Sequence, residues 1–182
     1  MVFDFFKKKK KEDGLDDLDS LILAKMKPGF LVDYDDNTYT VSAKNYYLWE
    51  EGGRTDEWEL KLGNEVSYLE RFEEDGEVEW SFCKKFSISA LDGDIAQHII
   101  EHEDPPEKIV YKDITFYFEE DDIGEYFKGG VSKPLQFVAW DFRNNSEGKK
   151  ICVEQWGETR FDVTISFEVE EYQFTNILPG GG

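Results

Sequence analysis

From Phe30 onward, apolar side chains recur at every second position, the period of strands with one covered face. Tyr39, Val41 and Ala43 alternate with Thr40, Ser42 and Lys44; Trp58, Leu60 and Leu62 alternate with Glu59 and Lys61. Val78, Trp80 and Phe82 alternate with Glu79, Ser81 and Cys83, and turn residues Asp35-Asp36-Asn37 and Asp75-Gly76 separate the runs. After residue 108 the pattern resumes over 109–118 around a Lys112-Asp113 turn, then over 135–142, 150–156 and 161–169. Two segments break the period. Residues 13–27 predict an amphipathic helix with Asp13 as N-cap, Leu15, Leu18, Ile22 and Met26 on one face, and a stop at Pro28-Gly29. Residues 92–108 predict a short helical connector that starts near Asp92-Gly93-Asp94 and ends at Pro105-Pro106.

The two β runs echo one another. Tyr39-Thr40-Val41 matches Phe116-Tyr117-Phe118, Trp58-Glu59-Leu60 matches Trp140-Asp141-Phe142, and Leu69-Glu70-Arg71-Phe72 matches Val153-Glu154-Gln155-Trp156. Val78, Trp80 and Phe82 then correspond to Phe161, Val163 and Ile165. The expected fold is therefore mainly β: two related antiparallel β units in a pseudo-two-fold sandwich or barrel-like arrangement, with a short N-terminal helix and a short helical connector. The corresponding divisions are a basic and aromatic leader (1–13), a helix plus first β unit (14–91), the connector (92–108), a second β unit (109–178) and a tail (179–182).

Within the repeated strand, Tyr68, Glu70 and Phe72 share one face, as do Cys152, Glu154 and Trp156. Each copy thus sets a glutamate among apolar neighbours, where a carboxylate is either paired or at the floor of a pocket. Partners for a purely structural role are the backbone or the four arginines, Arg54, Arg71, Arg143 and Arg160. The functional alternative is a shared crevice in which Glu70 and Glu154 bind a cation or do acid–base work, with Trp156, Trp58 and Trp140 as further candidate ligand-binding residues.

Charge narrows the partners. The 182 residues carry a net charge of −20, while the first eleven hold five lysines against Asp4. An acidic body repels nucleic-acid phosphate, so no nucleic-acid partner is expected. Phe3, Phe5 and Phe6 beside Lys7, Lys8, Lys9, Lys10 and Lys11 have the composition of a peripheral membrane contact, and equally of a solvated tail. Cys83 and Cys152, without any CxxC or Cys/His spacing, read as free thiols in a reducing compartment, and no run is long enough to span a bilayer. The expected location is cytoplasmic, with membrane association through the N-terminus.

Other motifs are weaker. His98-Ile99-Ile100-Glu101-His102 has the spacing of an H-x-x-E-H zinc site, but on a short connector with no third ligand in sight. Asp33, Asp35 and Asn37 have calcium-loop spacing, yet Thr38 replaces the glycine and Lys44 the bidentate acid. The 119–122 acidic run reads as a solvated loop. No cofactor is expected.

Together, the 26–41 segment, Trp58-Glu59-Leu60, the 66–82 hairpin, Trp140-Asp141-Phe142, the 151–163 hairpin and the 171–180 segment resemble the bacterial family catalogued as domain of unknown function 4178. That resemblance implies no activity. It implies an accessory cytoplasmic protein whose relatives' genes often lie near membrane-stress proteins of the phage-shock type and polyamine-synthesis genes. The functional expectation is a non-enzymatic binding or adaptor module of that setting, with a protein partner and a polycation as candidate ligand. The alternative is an enzyme, either a metal-dependent hydrolase through His98, Glu101 and His102 or a carboxylate-based catalyst through Glu70 and Glu154.

Overall fold

A computed structural model describes residues 22–180. The chain is mainly β, with eleven strands: β1 (Leu31–Tyr34), β2 (Asn37–Trp49), β3 (Arg54–Leu62), β4 (Glu65–Glu74), β5 (Glu77–Phe86), β6 (Lys108–Tyr111), β7 (Ile114–Phe127), β8 (Leu135–Asn144), β9 (Lys149–Gln155), β10 (Phe161–Val169) and β11 (Thr175–Leu178). Their order in the sheet is β11-β1-β2-β3-β4-β5-β10-β9-β8-β7-β6, and an added β2–β7 pairing closes eight of them into an antiparallel barrel. Closure removes the open edges that eight strands would otherwise expose, leaving only the short β6 and β11 at the ends.

Tight turns set the registers. Asp35 and Asp36 join β1 to β2, and Lys112 and Asp113 join β6 to β7, all four at positive φ, as two-residue hairpins of the I′ type require. Asp75-Gly76 does the same between β4 and β5.

Two of the three apolar clusters lie outside the barrel, and the third, Tyr47, Phe137 and Ala139, lies inside it. The first holds Leu23, Met26, Val32, Tyr39, Val41, Trp58, Leu60, Leu69, Trp80, Phe82, Val169 and Phe174, so β1 and the flanking 22–30 and 174–178 segments blanket the outer face of β3–β5. The second packs Leu91, Ile95, Ile99, Ile109 and Phe116 against Trp140, Phe142, Ile151, Val153 and Val163. Its cover is β6 with α1 (Ile95–His102), a helix capped by Asp94, whose side chain accepts from the Gln97 N–H at 3.1 Å. A β-bulge in β2 between Val41 and Ala43, and another in β7 between Phe118 and Glu120, change which face the odd or even residues present. Tyr39 and Val41 pack outward, whereas beyond the bulge Asn45 and Tyr47 turn inward at the same parity.

Three expectations need correction. Residues 13–21 of the expected helix lie outside the described residues, and over 22–27 the chain makes only a 3₁₀ turn, Leu23–Lys25. There Leu23 and Met26 are buried while Ile22 is 43% exposed. Side chains hold that segment's carbonyls: Trp58 Nε1 donates to Met26 O at 3.0 Å and Lys44 Nζ to Ala24 O at 3.3 Å. The acidic 119–122 run is no loop but the middle of β7, paired to β8. Finally β11, expected to end the second β unit, returns to pair with β1 of the first half.

Candidate functional site

Cross-strand neighbours identify what faces the barrel axis. Asn45, Glu57, Glu70 and Ser81 lie in register across β2–β5, and Thr164, Cys152, Asp141 and Glu120 across β10–β7. These are the polar halves of strands whose apolar halves pack outward. The lumen they enclose contains a cavity of about 620 Å³, within the range of small-molecule sites. Its lining reaches Glu51-Gly52 and Asn144-Asn145, so it opens at the barrel end that carries the β2–β3 and β8–β9 turns. Ten acidic side chains line it against three basic ones, Arg143, Lys149 and Lys150.

Glu57 is completely buried and well supplied with donors: Asn45 Nδ2 at 2.8 Å, the Tyr47 hydroxyl at 3.0 Å and, more distantly, the Tyr126 hydroxyl at 3.5 Å. Asn45 in turn accepts from the Gly129 N–H at 2.9 Å, tying the β7–β8 connection to the same network. Beside this sits an aromatic plug in which Phe137 packs on Trp156 at 4.5 Å and on Trp49 at 5.5 Å, and Tyr47 on Tyr126 at 4.8 Å. Gly124 is required here, because a Cβ would overlap the Phe137 ring.

Glu70 and Glu154 differ from Glu57. Both line the cavity. Burial pushes the Glu154 carboxyl up to about 8, opposed by Lys85 and reinforced by the charges of Glu70 and Glu57. Burial likewise pushes Glu70 up to about 7, with Glu57 adding to the shift and a bond to Cys83 opposing it. Glu154 Oε2 is buried and meets no hydrogen-bond partner among the described residues, and the same is true of Asp141 Oδ1 and Trp156 Nε1. Lys150 pairs with Asp141, and Lys85 sits 3.9 Å from Asp162, so neither basic side chain forms an ion pair with Glu154. Cys83 and Cys152 are free thiols facing the lumen, both pushed up by burial first and by nearby carboxyls second.

The structure thus brings Glu70 on β4 and Glu154 on β9 into one cavity, with β5 and β10 between their strands and Trp156 in the plug beside them. No arginine pairs with either: Arg54 bonds Asp56, Arg71 bonds Glu73, Arg143 bonds Glu119, and Arg160 approaches Asp162. Trp58 and Trp140 lie on the opposite face of the wall, 0% and 5% exposed in the two outer cores, and do not reach the cavity. Glu57, Asn45 and Tyr47, whose inward network borders the site, were not singled out from the sequence; of the three, only Tyr47 lines the cavity. The available signal was the parity of Glu57 with Glu59, on a face read as solvent-facing. Phe3, Phe5, Phe6 and Lys7 to Lys11 lie outside the described residues. His98 and His102 stack ring on ring at 4.3 Å, and the His102 Nδ1 lies 2.8 Å from its own helix carbonyl at His98. Glu101 is engaged by Gln97 Nε2 at 2.7 Å, and no group of three or more metal-ligating side chains is assembled among the described residues.

Fold and site define a class: a closed eight-stranded antiparallel barrel with an acid-lined interior and its two larger apolar cores on the outside. The chain belongs to the family described as a domain of unknown function, DUF4178, whose model matches residues 27–171. No curated protein and no solved structure matches it. Among the described residues no helix is long and apolar enough to cross a membrane.

Proposed function

We propose that this protein is a non-enzymatic binding or adaptor module whose ligand site is the barrel lumen, and that the ligand is a small polycation. The observation that carries this reading is a cavity of about 620 Å³ lined by ten acids and three bases, with Glu70 and Glu154 facing it. A wall of carboxyls around a barrel lumen open at one end favours cationic guests, because charge contacts set back from bulk water are screened less than at the surface. The test is calorimetry with spermidine on the full chain. Saturable binding that weakens at least about tenfold in Glu154→Gln supports the reading, since a charged hydrogen bond is lost; heats that match simple dilution overturn it.

The setting follows from the family context and the N-terminal composition. We place the module in the cytoplasm of bacteria, next to a membrane-stress or polyamine-linked system, with a protein partner and with Phe3, Phe5, Phe6 and Lys7 to Lys11 as the membrane contact. Co-sedimentation with anionic vesicles that persists unchanged after deleting residues 1–11 would remove the membrane part of this reading.

A duplicated ancestor accounts for the site's two-sided form. Each half contributes a four-residue strand, a two-residue turn at positive φ and a long strand broken by one bulge. Both closing seams join corresponding strands, β2 with β7 and β5 with β10. Glu70 and Glu154, matched in the repeat, then supply one inward carboxyl from each half.

A further inference from the structure

The unmet oxygen of Glu154 narrows the kind of cation. Glu154 is 7% exposed, lines the cavity, and its Oε2 meets no partner among the described residues. Such an atom is costly whichever way the carboxyl is charged: ionised it needs a donor, and protonated it needs an acceptor. Its cross-strand neighbours are Ala139 on β8 and Asp162 on β10. Ala139 is small and lines the cavity beside the carboxyl, while Lys85, whose charge reaches Glu154, lies 3.9 Å from Asp162 and makes no ion pair with Glu154. Glu70 faces the same cavity, and Tyr47, Trp49 and Phe72 supply aromatic wall.

A guest that completes this site needs positive charge, to suit the surrounding acids, and N–H donors, to satisfy Oε2. A quaternary ammonium has the first without the second, and a neutral alcohol has a donor without the charge. Resting on the reading of the lumen as the ligand site, we propose that the lumen takes an organic cation through an N–H-bearing ammonium group, seated against Glu154 with Glu70 as the second carboxyl. The aliphatic part of the guest lies along Tyr47, Trp49 and Phe72.

The experiment uses a matched pair, n-butylammonium and butyltrimethylammonium, titrated into the full chain at about pH 8.5, where both carboxyls are mostly ionised. The buffer is borate, so that no buffer amine competes. Calorimetry, with saturation-transfer NMR for weak binding, should show n-butylammonium held at least about tenfold more tightly, the worth of a hydrogen bond to a charged group. Glu154→Gln should weaken n-butylammonium by a similar factor and leave butyltrimethylammonium nearly unchanged. Equal or tighter binding of the quaternary ion, unchanged affinity in a folded Glu154→Gln protein, or no binding of n-butylammonium overturns the proposal. If Glu154→Gln does not fold, Ala139→Val narrows the same space without touching a charge, and unchanged affinity there overturns it equally. Native mass spectrometry separates this inference from the broader one. A neutral or anionic molecule carried by the wild-type chain and lost on Ala139→Val would overturn the ammonium while keeping the lumen as a ligand site.

Discussion

The inner and outer faces of the barrel wall are made by the same strands and obey opposite rules. In β3, Trp58 and Leu60 point outward and Glu57 points inward, and all three are fully buried. The outer face is stabilised by apolar area removed from water, shared between the wall and the strands, turns and helix that cover it. Inside, the same wall is held by hydrogen bonds where they are complete, as at Glu57, and strained by burial where they are not, as at Glu154. The comparison separates folding from function: the two larger cores lie outside, and inside only the plug around Tyr47 and Phe137 is apolar, which leaves the rest of the lumen free to be polar.

Substitutions on the two faces should therefore behave differently. The largest expected effect is Trp58→Ala, which opens a hole in the first outer core and frees the Met26 carbonyl. We expect a loss of about 3–5 kcal/mol in denaturant unfolding, as for other buried aromatic truncations. A loss below about 1 kcal/mol would mean that the outer core does not hold the barrel.

Next comes pH. In the unfolded chain a glutamate loses its proton near 4.5, whereas folded Glu70 and Glu154 keep theirs to about 7 and about 8. The folded state binds more protons within that window, so stability is greatest below about 4.5 for these groups and falls as pH rises through 7 to 8. The combined decline should amount to several kcal/mol. Glu154→Gln, which cannot ionise, should flatten the upper part of the curve; a slope that persists undiminished in that variant places the titration elsewhere.

A smaller change is expected at Glu57→Gln. Turning one acceptor oxygen into an amide donor sets it against Asn45 or Tyr47, for a loss of about 1–2 kcal/mol. The Gly129 amide should exchange faster with solvent as Asn45 loosens, and unchanged exchange would separate the loop from the lumen network. Smallest of all is Arg143→Ala, which breaks an exposed pair with Glu119. Its effect should stay below about 1 kcal/mol, and a clearly larger one would show that the mouth of the barrel contributes to stability.

Much of this architecture was legible in the residues. Alternation located most strands, Asp35-Asp36 and Asp75-Gly76 set two hairpins, and the resemblance to a family of unknown function holds over residues 27–171. The shared face of Tyr68, Glu70 and Phe72, and that of Cys152, Glu154 and Trp156, were local facts of a two-residue period. What stayed hidden was which side of each strand is concave. A period of two says that a strand has a covered face and an open one, and the covered face was read as the interior. In this barrel the covered face looks outward, and the polar face that seemed to meet solvent encloses the cavity. Glu57 was overlooked for that reason, and so was the placement of the 119–122 acids within β7.

By itself, then, the sequence determined that the chain is β, where it turns, and that one glutamate from each half has apolar neighbours, because those properties depend on residues a few positions apart. Only the tertiary structure decided that the two glutamates share a cavity and that Glu154 lacks a partner there. Closure of β2 on β7 and β5 on β10 joins residues some eighty positions apart, and two bulges reverse the faces of the longest strands. Neither long-range closure nor a one-residue bulge leaves a mark in the local alternation of apolar and polar side chains.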